Sequence, residues 1–405
     1  TPIKLALKGA GRGRLAQKVA AGQIAKNLEG MARNFIAGTD ADSALGTLKK
    51  MRKQRHGFTV DLLGEATVSE LEADAYAARY AALLEGLAAR TADWKPDPLL
   101  DTDDRGDIPR VNVSVKVSAM FSQLDALAFE ASVEAAAARL LPLFLLAKRA
   151  GAFLNLDMEQ YALKDLTLAL FKRVLEDPQL AGFEHAGVVI QAYLRDAEED
   201  LHALVSWAKA ARRRITVRLV KGAYWDYEVV HARREGWPAP VWLDKADSDA
   251  CFERCAALML DNHAHLRSAF GSHNLRSLAF AIATAEAHGL GPEAYEIQCL
   301  YGMAEPIKAA CAARGHRVRV YAPVGELIPG MAYLVRRLLE NTSNESWLRA
   351  GFADGASPEV LLGAPQEVGR GPELGGGGPG AFRNEVLRDF GDRAQREDFA
   401  AALDA

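Results

Sequence analysis

Between Phe58 and Ala322 the chain changes character eight times in the same way. A short run rich in β-branched and aromatic residues gives way to a long stretch rich in Ala and Leu. The runs are Phe58–Gly64, Asn112–Ala119, Phe153–Met158, Gly187–Leu194, Ile215–Lys221, Ala269–His273, Tyr295–Leu300 and Arg317–Ala322. Strands separated by helices cannot pair as hairpins, so they must lie parallel with the helices packed over them. Eight such units in about 290 residues predict an α/β fold, a closed (β/α)8 barrel of the TIM type.

The parity within the runs sharpens this. A parallel strand covered on both faces should be apolar throughout, yet Val113, Val115 and Val117 alternate with Ser114, Lys116 and Ser118. The same alternation sets Asn155, Asp157 and Glu159 against Leu154, Leu156 and Met158. It recurs with Thr216 and Arg218 against Val217 and Leu219, and with Arg317, Arg319 and Tyr321 against Val318, Val320 and Ala322. Helices cover the outside, so the polar set faces the lumen. Charged groups near the C-terminal strand ends then lie where barrels keep their chemistry.

The flanks differ from the barrel. Residues 1–57 read as an N-terminal helical arm, amphipathic over Leu15–Met31 and Ala44–Arg52, and 58–352 as the barrel. Residues 353–405 read as a Gly-rich linker, with four glycines at Gly375–Gly378, and a polar helical tail from Asn384. The 49 Lys and Arg against 53 Asp and Glu give a net charge of -4, which argues against a nucleic-acid partner. No apolar run reaches the roughly 20 residues of a spanning helix. The four cysteines are too few for a disulfide scaffold and fit a reducing cytosol. Cys251 and Cys255, four apart on an apolar helical pattern, read as core, and no metal site is expected. Gly9-Ala-Gly-Arg-Gly-Arg follows no strand and is not a dinucleotide fingerprint.

Several constellations could carry chemistry. Lys116, Arg218 and Arg319 outnumber the evident inward acids, Asp157 and Glu159, so the lumen is expected to receive an anion such as a carboxylate or phosphate; a structural ion-pair network is the alternative. Arg336 and Arg337, followed by Glu340, could grip a carboxylate bidentately or form a solvated pair on an outer helix. Lys221 ends the fifth strand, where a Schiff-base lyase would keep its lysine. Its parity is opposite to that of Arg218, so it points outward unless the strand bends at Gly222. Tyr224 and Trp225 suit stacking on a planar ring, and His273-Asn274 offers a donor and acceptor pair.

Nine segments occur in order, GFTVDLLGEA, VSVKVSAM, LNLDMEQY, VVIQAYL, RLVKGAYWD, SHN, YEIQCLYGMAEP, VYAPVGE and YLVRRLLEN, within a stretch from about Gly57 to Trp347. Together they resemble the proline dehydrogenase domain of the proline utilization A family, bifunctional bacterial flavoenzymes. The resemblance implies a distorted (β/α)8 barrel with an N-terminal helical arm that binds FAD. It implies oxidation of L-proline to Δ1-pyrroline-5-carboxylate by hydride transfer from C5 to flavin N5, with the electrons passed to a membrane quinone. A hydroxyproline or other cyclic imino-acid dehydrogenase is the nearest rival. The working protein is then expected to be cytoplasmic, meeting the inner membrane face peripherally. The tail from Asn384 resembles the family's approach to its aldehyde dehydrogenase domain, so this chain is expected to be the front part of a longer enzyme.

Carried over residue by residue, the resemblance assigns the substrate carboxylate to Lys116, Arg336 and Arg337. Asp157 is expected to hydrogen-bond Tyr321, whose ring packs on the substrate with Tyr224 and Leu300. Arg218 is expected beside flavin N5, making Arg218, Asp157 and Tyr321 the catalytic set. Gln191, Val220, Lys221, Gly222, Ala223 and Trp225 are expected along the flavin ring and ribityl chain, with Leu300 at its edge. Lys245, His273, Asn274 and Glu340 would complete the cofactor site. Leu243 departs from the family, which often has a hydroxyl residue there, and Tyr301 replaces the usual His.

Overall fold

The computed structural model describes residues 30, 34–64, 66–326, 330–342, 357, 359, 362–369 and 385–404, without the side chains of 332, 338–342 and 404. Eight parallel strands close a barrel: β1 His56–Leu62, β2 Asn112–Lys116, β3 Phe153–Asp157, β4 Ala186–Gln191, β5 Ile215–Val220, β6 Leu266–Gly271, β7 Tyr295–Leu300 and β8 Val318–Val324. Each pairs with its sequence neighbours, and β8 closes on β1 with Thr59 opposite Tyr321 and Val60 opposite Ala322. All eight expected runs are strands. The edges moved by a few residues where the chain turns: β2 passes into a 3-10 turn at Val117–Ala119, and β6 begins three residues early.

The alternation has the consequence argued from the sequence. Val113, Val115, Leu154, Leu156, Val217 and Leu219 are wholly buried against the helices, each contributing about 1.5–3 kcal/mol. The covering helices are α1 Ala41–Lys53, α2 Glu70–Thr91, α3 Phe129–Ala150, α4 Lys164–Leu175, α5 Ala197–Ala210, α6 Trp225–Glu235, α7 Lys245–Asp261, α8 Leu275–Ala287, α9 Glu305–Ala313 and α10 Met331–Thr342. Local signals set their ends. Asp40 and Ser43 form a reciprocal capping box at the start of α1, and Gly151 ends α3 in the left-handed region at φ 62°. Cys251 and Cys255 are buried in the core.

The N-terminal mouth is closed by a hairpin, Thr102–Asp103 paired with Gly106–Asp107. Asp103 pairs with Arg267 at 2.7 Å, Asp104 with Arg214 at 3.2 Å, and Arg317 donates to the Thr102 carbonyl. The opposite mouth stays open.

A final helix, α11 Arg393–Asp404, lies against the outside of the barrel. Arg396 pairs with Asp165 of α4, Arg393 lies 3.6 Å from Asp200 of α5, and Trp237 donates to the Leu387 carbonyl at 2.6 Å. Leu15–Met31, apart from Gly30, lies outside the described residues, as do Gly375–Gly378 and Asn384. No helix among the described residues is long and apolar enough to cross a membrane.

Candidate active site

A cavity of about 670 Å3 opens at the C-terminal ends of the strands. Its floor is built by inward residues at matching heights. Lys116 of β2 stands opposite Asp157 of β3, and Tyr321 of β8 opposite Leu300 of β7. Asp157 is the hub. One oxygen accepts from Arg218 at 2.6 Å and from Asn155 at 3.1 Å, and the other accepts from the Tyr321 hydroxyl at 2.6 Å. Arg218 also donates to Ser114 at 3.0 Å, and its guanidinium lies 5.4 Å from the Tyr321 ring centre. Burial, with the charges of Asp157 and Asp61 beside it, pushes the Tyr321 phenol far above its ordinary range, so it stays a donor.

Lys116 is ion-paired with Asp61 of β1. Burial lowers its pKa, but the Asp61 carboxylate, helped by Tyr80 and Asp157, overcomes this and holds its pKa above the ordinary lysine value. Arg319 lies deeper, bonded to Glu296 at 2.9 Å, and although burial opposes ionisation, the Arg319 and Arg317 charges draw that carboxyl down to about 2. The expected excess of strand cations is therefore corrected. Lys116, Arg218 and Arg319 each have a carboxylate, because β1 and β7 contribute Asp61 and Glu296 from the same inward parity. A charge count at the strand ends thus carries no argument for an anion.

The second wall follows β5. The strand stops at Val220, and Gly222, at φ 131°, turns the chain so that Lys221, Ala223, Tyr224 and Trp225 all line the cavity. A Cβ at Gly222 would come within 2.5 Å of the Tyr193 ring, so sterics as well as the dihedral require glycine. Lys221 reaches the cavity rim while keeping the outward parity of its strand: its ammonium pairs with Asp249 of the covering helix α7 and lies 5.8 Å from the Phe252 ring of the same helix, and Asp249 also takes Lys245 at 2.6 Å and the Asn274 amide at 3.3 Å. Burial, reinforced by Lys245 and opposed by Asp249, draws Lys221 down to about 8. Across the cavity, His273 accepts from the Leu300 N–H at 3.0 Å through Nε2, which fixes the neutral tautomer with its proton on Nδ1. Burial and the charge of Arg337 lower its pKa to about 4. Gln191 Oε1 is buried without a hydrogen-bond partner among the described residues.

The third wall is α10, directly after β8. Arg336 lies over the Tyr224 ring at 5.0 Å and Arg337 over the Tyr333 ring at 5.3 Å, and both arginines line the cavity. They are not a solvated outer pair. The side chain of Glu340 lies outside the described residues. Every other expected site residue lines this one cavity. Reading from the sequence missed Asp61, Asp249 and Tyr333. The first was visible in principle, since Thr59 and Asp61 alternate with Phe58, Val60 and Leu62. Asp249 sits on a helix with nothing to separate it from a surface acid.

The family model described as proline dehydrogenase matches residues 44–350. The Bifunctional protein PutA of Salmonella typhimurium is 33% identical over 346 residues, covering 84% of this chain and 25% of that protein. The chain thus spans about a quarter of the length of the curated PutA relatives it matches. The Proline dehydrogenase of Deinococcus radiodurans is 29% identical over 328 residues, 80% of this chain and 91% of that protein. Among solved structures, proline utilization A from Bdellovibrio bacteriovorus inactivated by N-propargylglycine superposes with a TM-score of 0.91 at 49% identity, covering 96% of this chain and 41% of that one.

Proposed function

The chain belongs to the proline dehydrogenase family of oxidoreductases, and from that premise we propose that it oxidises L-proline to Δ1-pyrroline-5-carboxylate with FAD held in the barrel mouth. The residues present suit such a cofactor. The unpartnered Gln191 Oε1 offers an acceptor, Lys221 and Lys245 share a single carboxylate, and the turn at Gly222 brings backbone to the cavity wall. Gln191, Arg218, Val220 to Ala223, Trp225, Lys245, His273, Asn274, Leu300 and Glu340 would hold it. When bound, FAD supplies the acceptor, N5, for the hydride leaving C5 of proline, and a membrane quinone takes the electrons onward.

The chain's own residues prepare the substrate. Lys116, Arg336 and Arg337 fix the carboxylate, and the aromatic faces of Tyr224 and Tyr321 with Leu300 seat the ring, so much of the rate comes from orientation. The same cations disfavour a protonated amine on the bound substrate, which favours the neutral form from which hydride leaves. Arg218, held by Asp157, provides fixed positive charge on the cofactor side and needs no reorganisation during the reaction. Tyr321 occupies space near C4 and disfavours a hydroxylated ring. The observation that carries this reading is the convergence of Lys116, Arg336 and Arg337 with Tyr224, Leu300 and Tyr321 on one cavity. In the whole protein, an aldehyde dehydrogenase domain would consume the product.

Kinetics of Arg336→Met test it. KM for L-proline should rise at least about tenfold with a much smaller change in kcat, as loss of a ground-state contact requires. An unchanged KM would refute the carboxylate clamp, and equal efficiency of the wild type on hydroxyproline would refute the substrate assignment.

A further inference from the structure

The clamp arginines stand on a helix whose backbone leaves the barrel after β8, so something must fix where that helix lies. Residues 34–38 of the arm cross the C-terminal mouth next to it. Ala37 donates to the Pro323 carbonyl at 2.8 Å, Gly325 donates to the Gly38 carbonyl at 2.9 Å, and Gly38 forms a parallel bridge with Val324. The arm thus pairs alongside the C-terminal end of β8. At its other edge the Asn34 carbonyl presses on Gly302, where a Cβ would lie 1.9 Å from that oxygen and φ is 75°. Only glycine lets the strap sit this close.

Phe35 points from this strap into a small apolar cluster separate from the main core. Its buried members are Leu63, Met303, Tyr333 and Leu334, with Leu300 and Tyr321 packed against it. Every member lies at the catalytic mouth. Tyr333 and Leu334 belong to α10, one turn before Arg336 and Arg337, and the Arg337 guanidinium rests on the Tyr333 ring. Residues three and four apart on a helix share a face, so a contact on Tyr333 and Leu334 sets the height and rotation of the arginine turn.

We propose that the strap of residues 34–38 positions the arginine helix, with Phe35 acting through Tyr333 and Leu334 to hold Arg336 and Arg337 in register with the substrate carboxylate. Phe35 is a positioning residue, and the proposal rests on the reading of the two arginines as the carboxylate clamp. It gives the arm a part in substrate affinity beyond covering the barrel.

The test pairs kinetics with a binding measurement that needs no turnover. In the full chain, Phe35→Ala should raise KM for L-proline on the order of tenfold, with kcat changing far less. It should weaken calorimetric binding of cyclopentanecarboxylate, a ring acid without an amine, by the same factor. Phe35→Leu retains most of the buried volume and should show a smaller shift in the same direction, about threefold; it carries the test if the alanine variant does not accumulate. With Arg336→Met and Arg337→Met already present, adding Phe35→Ala should cause no further loss. Wild-type affinity in both Phe35 variants, or an undiminished loss in the arginine-free background, would overturn the strap while leaving the clamp standing. If the arginine substitutions themselves leave both measurements unchanged, the clamp reading fails and the strap proposal falls with it.

Discussion

Asp157→Asn probes the centre of the site with almost no change of shape. In the wild type one carboxylate serves two strands, accepting from Arg218 at 2.6 Å and from Tyr321 at 2.6 Å. Asparagine can still offer an oxygen to Arg218, but its amide then faces Tyr321. That hydroxyl can turn to donate to the Asp61 carboxylate, which lies within its reach. The loss therefore concentrates on Arg218, a residue only 5% exposed whose remaining side-chain hydrogen bond is to Ser114 at 3.0 Å. Removing the charge from one side of a buried pair costs about 3–5 kcal/mol. At roughly 2 °C per kcal/mol for a chain of this size, the melting midpoint should fall by about 6–10 °C. Because Arg218 also loses its fixed orientation toward the cofactor side, kcat/KM should drop about 10- to 100-fold, equivalent to about 1.4–2.7 kcal/mol. Calorimetric melting and steady-state kinetics with L-proline measure both. Tyr321→Phe, which leaves the Arg218 pair intact, should lose only about 0.5–1.5 kcal/mol of stability. An Asp157→Asn protein that melts with the wild type and keeps its kcat/KM would refute the account of Asp157 as the hub.

Two further outcomes follow from the same structure. Burial and the nearby Asp389 raise Glu228 from 4.5 to about 7, against the N–H of Tyr161 that it accepts at 2.8 Å. Between those values the folded protein holds a proton that the unfolded chain has released, so stability should fall with rising pH across this window, by on the order of 3 kcal/mol. In Glu228→Gln that part of the slope should vanish when urea unfolding is repeated from pH 4 to 8. Gly222→Ala, with a Cβ forced against the Tyr193 ring at a positive φ, should displace the turn that carries Lys221 to Trp225; flavin content measured after heat release should fall well below one per chain.

Much of this was legible in advance, for physical reasons that differ from residue to residue. The barrel could be read because parallel strands under helices enforce a period of two, and Lys116, Asp157, Arg218 and Tyr321 all fall on the polar parity. The same rule would have exposed Asp61 and Glu296, and overlooking them produced a cation excess that the structure does not have. Lys221 follows its parity toward α7, and what parity could not show is that the strand end and the turn at Gly222 bring this outward position to the cavity rim. Asp249 was invisible, since its role depends on α7 lying beside the end of β5, a tertiary fact. The seat of the strap on β8 was likewise hidden, because two backbone hydrogen bonds and one glycine leave no periodic trace.

The central claim is that this cavity holds a flavin against L-proline, and the visible spectrum of the full chain under anaerobic conditions tests it most directly. The account predicts a yellow protein whose blue-light absorption is bleached by L-proline, with the bleaching requiring far more proline in Arg336→Met. A colourless protein that takes up no flavin, or a yellow one whose spectrum proline leaves untouched, would contradict it.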